Sequence, residues 1–460
     1  MRYQEFQQLD IFKPFKNSSD YIKKSFKFID LFAGIGGFRI PLEQIGGTCI
    51  GYSEIDKEAI NIYKKNFLKS CNHSELELGS ITEIVKLPEE TDLVVGGVPC
   101  QPWSVAGRMK GFDDPRGKLW FDVLRLLYTN QPKAFIFENV RGLTSPKNKP
   151  SFEYLLYELE KANYCIKWKV VNSYDFGVPQ SRERVFIVGI RKDLSNAQEY
   201  QFPQSLAYRP RLVDVIDEIK DCQIVTKKKL NPNILFGGSG SIPPSRNRFQ
   251  KDDELNDFFT FSDLRNGHTT IHSWDIIDTT KKEKLICLTL LKSRRKKQYG
   301  EKDGNPLTFE DLQSLIPEIL IDDVDKLIAK KILRETDKSK FDFVNSKNSS
   351  GINGVYRIFL PQSEMIPTLT ATGAKDFIAT VSINADHPEK YKHEFLEKIY
   401  HPQKFKHITA RDACKLQGFP DWFEFHYNEG IAKKQFGNAV SIPAVYYVAK
   451  ELINILDLPH

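Results

Sequence analysis

Between Phe28 and about Gly189, short apolar runs alternate with stretches whose apolar residues recur at helical spacing. Phe28-Ile-Asp-Leu-Phe32, Cys49-Ile-Gly-Tyr-Ser53, Asp92-Leu-Val-Val95, Ala134-Phe-Ile-Phe137 and Val185-Phe-Ile-Val188 are too apolar for strands with one wet face. They predict a mostly parallel sheet covered on both faces. Segments such as Glu58 to Tyr63 and Phe121 to Leu127 supply the intervening helices, and the alternation is that of a doubly wound α/β domain. Beyond about Arg191 the alternation fades. Gly237-Gly-Ser-Gly-Ser-Ile-Pro-Pro244 cannot continue a helix or a central strand and predicts a loop or linker. Further on, Thr308-Phe-Glu-Asp311 predicts a helix N-cap, and Val324, Leu327, Ile328 and Ile332 fall on one helical face. An apolar helical pattern returns in Ala444-Val-Tyr-Tyr-Val-Ala449.

A chain of 460 residues predicts two or three domains, at about 150 residues each. With 66 Lys+Arg against 60 Asp+Glu, the surplus of six positive charges permits a nucleic-acid partner without demanding one. Local clustering says more. Lys292-Ser-Arg-Arg-Lys-Lys297 is a solvated face unless its domain meets nucleic acid, in which case it becomes a phosphate contact. The N-terminus lacks a basic region followed by an apolar core, and no uncharged apolar run approaches the roughly 18 residues of a membrane span. A cytoplasmic protein without a membrane partner is expected. The seven cysteines are scattered, odd in number and never spaced C-x-x-C, against a disulfide framework or a zinc site.

Chemistry concentrates where the predicted strands end. Asp30-Leu-Phe-Ala-Gly-Ile-Gly-Gly-Phe38 joins a strand to a helix, and Gly34, Gly36 and Gly37 allow a tight turn close to a ligand. Arg39 stands where a dinucleotide fingerprint has its third glycine. The next strand runs into Glu54 and Asp56, which either accept from ribose hydroxyls or start the following helix. Val98-Pro-Cys-Gln-Pro102 presents Cys100 just past a buried strand on a backbone stiffened by flanking prolines. Glu138-Asn139 follow the next strand, so a carboxyl and a thiol can converge on one substrate. In Pro179-Gln-Ser-Arg-Glu-Arg184 the two arginines alternate with Glu183, placing Arg182 and Arg184 on one side as forked donors.

Together these residues resemble the cytosine-C5 DNA methyltransferase family of the bacterial restriction-modification type. The blocks that carry the resemblance are Asp30-Leu-Phe-Ala-Gly-Ile-Gly-Gly37, Gly97-Val-Pro-Cys-Gln-Pro-Trp-Ser104, Asp113-Asp-Pro-Arg-Gly-Lys-Leu-Trp120, Phe137-Glu-Asn-Val140, Gly177-Val-Pro-Gln-Ser-Arg-Glu-Arg-Val185, Leu416-Gln-Gly-Phe-Pro420 and Gln435-Phe-Gly-Asn-Ala-Val440. They occur in the family's order from residue 28 to 440. The resemblance implies a Rossmann-like mixed sheet of the S-adenosylmethionine-dependent methyltransferases with a second, smaller target-recognition domain. It divides the chain into an N-terminal extension (1–25), a catalytic and cofactor-binding domain (26–194), a recognition domain (195–424, reading DNA through about 195 to 405) and a segment returning to the catalytic domain (425–460).

The resemblance also assigns roles. S-adenosylmethionine is the implied methyl donor, with no metal; it would lie against Phe32, Ala33, Gly34, Ile35, Gly36, Glu54, Ile55, Ser80, Ile81, Pro99, Leu119 and Asn438. Phe32 would pack on the adenine and Glu54 would hold the ribose. Two positions depart from the family's pattern: Ile55 replaces a common aromatic, and Ser80 replaces a usual aspartate. Cys100 is implied as the nucleophile toward cytosine C6, Glu138 as the group at N3, Arg184 at O2, and Arg182 as a further member of the site. Gln101 and Thr368 would touch DNA. The implied partner is double-stranded DNA, with a cognate restriction endonuclease as functional counterpart of a monomeric enzyme. A tRNA methyltransferase is disfavoured by the length of the recognition region, an inactive regulator by the intact Cys100, Glu138 and Arg184, and a dehydrogenase by the missing glycine.

Overall fold

The computed structural model describes residues 24–68, 75–99, 118–224, 261–266, 271–302, 304–336, 339–346, 349, 351–371, 376–385 and 388–458. Cys100, Gln101, most of the 113–120 block and the Gly237 to Pro244 linker lie outside them.

Two compact units emerge. The first comprises residues 1–211, 364–374 and 409–460; the second comprises 212–363 and 375–408. Residues 195–211, 364–374 and 409–424, expected with the second domain, thus pack with the first. The return at 364–374 is made by a short parallel ladder in which Ile366 pairs with Gln180 and Pro367 with Ser181.

The first unit is built on a seven-stranded sheet: β1 (Phe26–Leu31), β2 (Gly47–Ser53), β3 (Leu76–Glu77), β4 (Leu93–Gly97), β5 (Ala134–Val140), β6 (Tyr164–Asn172) and β8 (Glu183–Arg191), with β7 (Gln180–Ser181) outside it. Its order is β3-β2-β1-β4-β5-β8-β6. Strands β1 to β5 run parallel, while β8 inserts antiparallel between β5 and β6. Burial on both faces explains the unbroken apolar runs. One face packs Phe26, Phe28, Leu93 and Val95 against helix α1 (Arg39–Gln44) and the C-terminal helix Ile442–Ile455. The other packs Ile29, Leu31 and Val94 against α3 (Leu119–Asn130) and α4 (Lys149–Lys161). Helix α2 (Lys57–Phe67) follows β2. The chain steps outward from β1 to β3 and then returns to place β4 on the other side of β1, so the order reverses between β1 and β4. In open α/β sheets ligands bind outside the strand ends at such a switch point. The glycine turn and the segment leading to Cys100 flank it.

In the second unit, a four-stranded sheet joins Phe405–His407, Asp376–Ala379, Arg357–Phe359 and Phe261–Asp263, and a three-stranded sheet joins Leu307–Thr308, Lys340–Phe343 and Leu333–Thr336. Each has its own apolar cluster. Thr308 does cap its helix, with reciprocal bonds to Asp311 of 2.9 and 3.1 Å. Ile332 is buried but lies beyond the helix Ile321–Ala329 rather than on its face. The basic run is not uniform either. Arg294 is 8% exposed and its guanidinium pairs with Asp342 at 3.0 Å, whereas Lys292, Arg295, Lys296 and Lys297 are exposed.

Candidate active site

The turn after β1 carries local strain. Phe32 adopts φ 57°, in the left-handed region along with Gly34 (56°) and Gly36 (90°). A non-glycine residue there costs on the order of 1 to 3 kcal/mol, which the surroundings must offset. They do so from β2. The Ala33 amide donates to the Ser53 carbonyl at 3.0 Å, and the Gly34 amide donates to Glu54 Oε2 at 2.8 Å. Glu54 Oε1 accepts from the amides of Ile55 and Asp56 at 2.8 and 2.9 Å. Asp56 caps α2 through the amides of Glu58 and Ala59. The two acidic residues therefore divide the roles that the sequence left open: Asp56 starts the helix, and Glu54 faces the glycine turn with lone pairs to spare.

The other residues expected around a methyl donor come from six parts of the chain. Ala33, Ile35 and Ile81 are buried, Leu119 opens α3 half-buried, Pro99 is half-buried after β4, and Asn438 is exposed at the end of the helix Glu429–Asn438. Ser80 hydrogen-bonds Thr82 Oγ1 at 2.8 Å, and Ile55 is 74% exposed, the two positions that depart from the family's pattern. Beneath the turn, Asp30 is fully buried with both carboxylate oxygens unpartnered, and the Ser441 hydroxyl is likewise buried and unpartnered. Burial lifts the Asp30 carboxyl well above the carboxylate range; Arg39 opposes this, and Glu54 and Glu75 reinforce it. The Glu54 carboxylate on the glycine turn fits a ligand with ribose hydroxyls, whereas the space a Cβ would need at Gly36 and Gly37 is taken by Phe67 and Val440.

Glu138 and Arg184 meet across β5 and β8, beside the end of β4. Glu138 stands opposite Gly97 in the parallel ladder, and Arg184 opposite Val140 in the antiparallel one. Glu138 and Val140 share a face of β5, so Arg184 meets Glu138 on the diagonal, Nε to Oε1 at 3.0 Å. A Cβ on Gly97 would sit 3.9 Å from Glu138 Oε2, so the absence of a side chain leaves the carboxyl room over the end of β4. Burial pushes the Glu138 carboxyl up, against the pull of Arg184 and Arg182. The shift is toward the acid form, which can donate a hydrogen bond. Asn139 donates to the Val98 carbonyl at 3.2 Å and so anchors the backbone that continues into Cys100.

Arg182 is held by main-chain carbonyls. It sits in the break between β7 and β8, 2% exposed, and donates to the carbonyls of Leu369, Gly437 and Ala439 at 3.1, 3.1 and 2.7 Å. Strict alternation does not extend across that break, so Arg182 ties two chain segments together while Arg184 pairs with Glu138. Thr368 belongs to the same lacing, donating from its hydroxyl to the Ser181 carbonyl at 2.7 Å.

A profile of C-5 cytosine-specific DNA methylases matches residues 26–454. The chain belongs to that family. M.HgiCII, a type II methyltransferase of Herpetosiphon aurantiacus, is 44% identical over 431 residues, covering 94% of this chain and 97% of its own. M.HgiBI of the same organism is 43% identical over 430 residues, covering 93% and 97%. M.BanI of Aneurinibacillus aneurinilyticus is 34% identical over 445 residues, covering 93% and 95%. Two residues beside the candidate site were not singled out from the motifs. Val440 lies against the glycine turn, where a Cβ on Gly37 would come within 2.8 Å of its Cγ2, and against Gly97. Gln180 donates to the Leu416 carbonyl at 2.9 Å and accepts from the Leu369 amide at 3.0 Å. Both lie inside the matching blocks, which was the available signal.

Proposed function

We propose that this methyltransferase modifies C5 of a cytosine flipped out of a specific duplex DNA sequence, protecting host DNA from a cognate restriction endonuclease. The observation that carries the reading is the buried Glu138–Arg184 pair beside Gly97, on the strand that leads into Pro99-Cys100-Gln101. A cytosine stacked in a duplex cannot reach this group, so it must leave the helix, at a cost of a few kcal/mol met by DNA contacts. Residues from about 195 to 405 supply those contacts, together with Thr368 and Gln101.

The Cys100 thiolate adds to C6, forming a C–S bond and shifting electron density to C5. Glu138, whose carboxyl burial pushes up, serves as the proton donor at N3 as charge develops there, and Arg184 holds O2. S-adenosylmethionine, held by Phe32, the 33–36 turn, Glu54, Ile55, Ser80, Ile81, Pro99, Leu119 and Asn438, supplies an electrophilic methyl group when bound. Removal of the C5 proton to water then breaks the C–S bond, frees the Cys100 thiolate and lets N3 return its proton to Glu138. The enzyme acts as a monomer in the cytoplasm.

The test uses duplex DNA carrying 5-fluorocytosine. Fluorine cannot leave C5 as a cation, so the wild type becomes trapped on DNA in a complex that survives denaturation, in a manner dependent on the methyl donor. Cys100→Ala abolishes the trap and leaves DNA binding measurable. A trap that persists in Cys100→Ala removes Cys100 from the mechanism, and methylation of tRNA in place of DNA would overturn the substrate.

A further inference from the structure

Arg39, which takes the place of a glycine in the dinucleotide fingerprint, is almost wholly buried under the turn it follows. Its Nε donates to Glu43 Oε1 at 2.7 Å, and its Nη1 reaches both oxygens of Glu75, at 2.9 and 2.7 Å, and the Tyr63 hydroxyl at 3.0 Å. The Glu75 side chain is only 2% exposed, so this is an interior ion pair, and losing Arg39 strands the Glu75 charge. The Tyr63 hydroxyl closes the set by donating to Glu75 Oε1 at 3.1 Å.

The guanidinium also lies over the ring of Phe67, 4.6 Å from its centroid. That ring occupies the space beneath Gly36, where a Cβ would fall within 2.7 Å of Phe67 Cζ. From its other sides Phe67 meets Tyr63 at 5.0 Å, and Trp422 and Phe423 at 6.4 and 6.5 Å between centroids. Asn66 fixes the end of α2 through reciprocal bonds with the Glu424 main chain, at 2.7 and 2.8 Å. A continuous line of contacts therefore runs from Glu75 through Arg39 and Phe67 to Gly36, whose φ of 90° is one of the left-handed values that shape the turn.

We propose that Arg39 and Glu75 are positioning residues for the methyl-donor turn, acting by clamping Phe67 beneath Gly36. Neither touches the reacting atoms. The proposal rests on the reading that this turn binds S-adenosylmethionine. Lysine at 39 keeps the charge for Glu75 but lacks the planar plate over Phe67 and the second arm to Glu43. A slackened clamp lets the ring move and the turn relax, which weakens the donor more than DNA.

The experiment measures binding of S-adenosylmethionine by calorimetry, and steady-state kinetics, for the full chain and for Arg39→Lys, Glu75→Gln and Phe67→Leu. Each variant is expected to raise the donor Kd and KM about tenfold, with kcat and DNA Kd within about twofold of wild type. The double variant Arg39→Lys with Phe67→Leu should be no worse than the poorer single one, because both act through the same ring. Folded variants with wild-type donor affinity overturn the clamp, as does a loss spread equally over donor, DNA and kcat. If the polar variants fail to fold, Phe67→Leu, which keeps an apolar side chain at the site, decides. A wild-type chain that binds no donor refutes instead the reading of the turn.

Discussion

Glu138 illustrates how one side chain acquires its chemistry from position. Its carboxyl is drawn in opposite directions, upward in pKa by burial and downward by Arg184 and Arg182, with burial prevailing. The acid therefore stays protonated to a higher pH than an exposed glutamate, and it is lost as donor when pH rises through the raised pKa. Glu138→Gln is expected to lower kcat by about 100-fold or more with cofactor affinity near normal, since the lost interaction belongs to the transition state. The ratio of wild-type to variant kcat should shrink as pH rises, because only the wild type loses a proton there. A ratio flat from acid to alkaline pH would assign the role to the charge on Glu138 rather than to its proton. The residue type and its place after a strand were legible in the sequence. Its pairing with Arg184 was not, because it depends on an antiparallel register between strands far apart along the chain.

At the scale of elements, the strands that read most clearly were those buried on both faces, whose apolar runs admit one interpretation. β6 was missed because its sequence, Tyr164-Cys-Ile-Lys-Trp-Lys-Val-Val-Asn172, belongs to an edge strand with a largely wet middle. The lacing of β7 escaped for a different reason. Two residues of ladder, one glutamine and one arginine leave no periodic trace, yet Gln180 and Arg182 bind the carbonyls of Leu369, Leu416, Gly437 and Ala439. Arg182→Lys cannot serve three carbonyls with the same fork, and stranded buried acceptors cost about 1 to 3 kcal/mol each. A loss on the order of 3 kcal/mol should appear as a lowered first thermal transition, whereas Arg184→Lys should reduce kcat with little change in that transition. An unchanged thermal transition in Arg182→Lys, with kcat lost, would return Arg182 to the substrate, as its motif alone suggested.

For the whole molecule, a run of composition such as the fading alternation after Arg191 locates a second unit but not where the chain comes home. Residues 364–374 and 409–424 rejoin the first unit through contacts that no local pattern announces. The same limit applies to the basic run, where identical charges have different fates: Arg294 is spent on Asp342 inside the second unit, while Lys292, Arg295, Lys296 and Lys297 remain at its surface. If that surface meets DNA, each cation that neutralises a phosphate releases counterions and adds close to 0.9 to the slope of log K against log salt. Replacing the four exposed residues with glutamine should then weaken binding to specific and unrelated DNA alike and flatten the slope by about 1 to 3, with the unit still folded. Arg294→Gln should act differently, since it removes the buried partner at 3.0 Å from the Asp342 carboxylate and leaves it only Arg334, at 3.7 Å. It should lower the thermal midpoint without a specific effect on the salt slope. A slope unchanged by the four surface replacements would make the run a solvated face, and the phosphate contacts would have to come from other residues of the second unit.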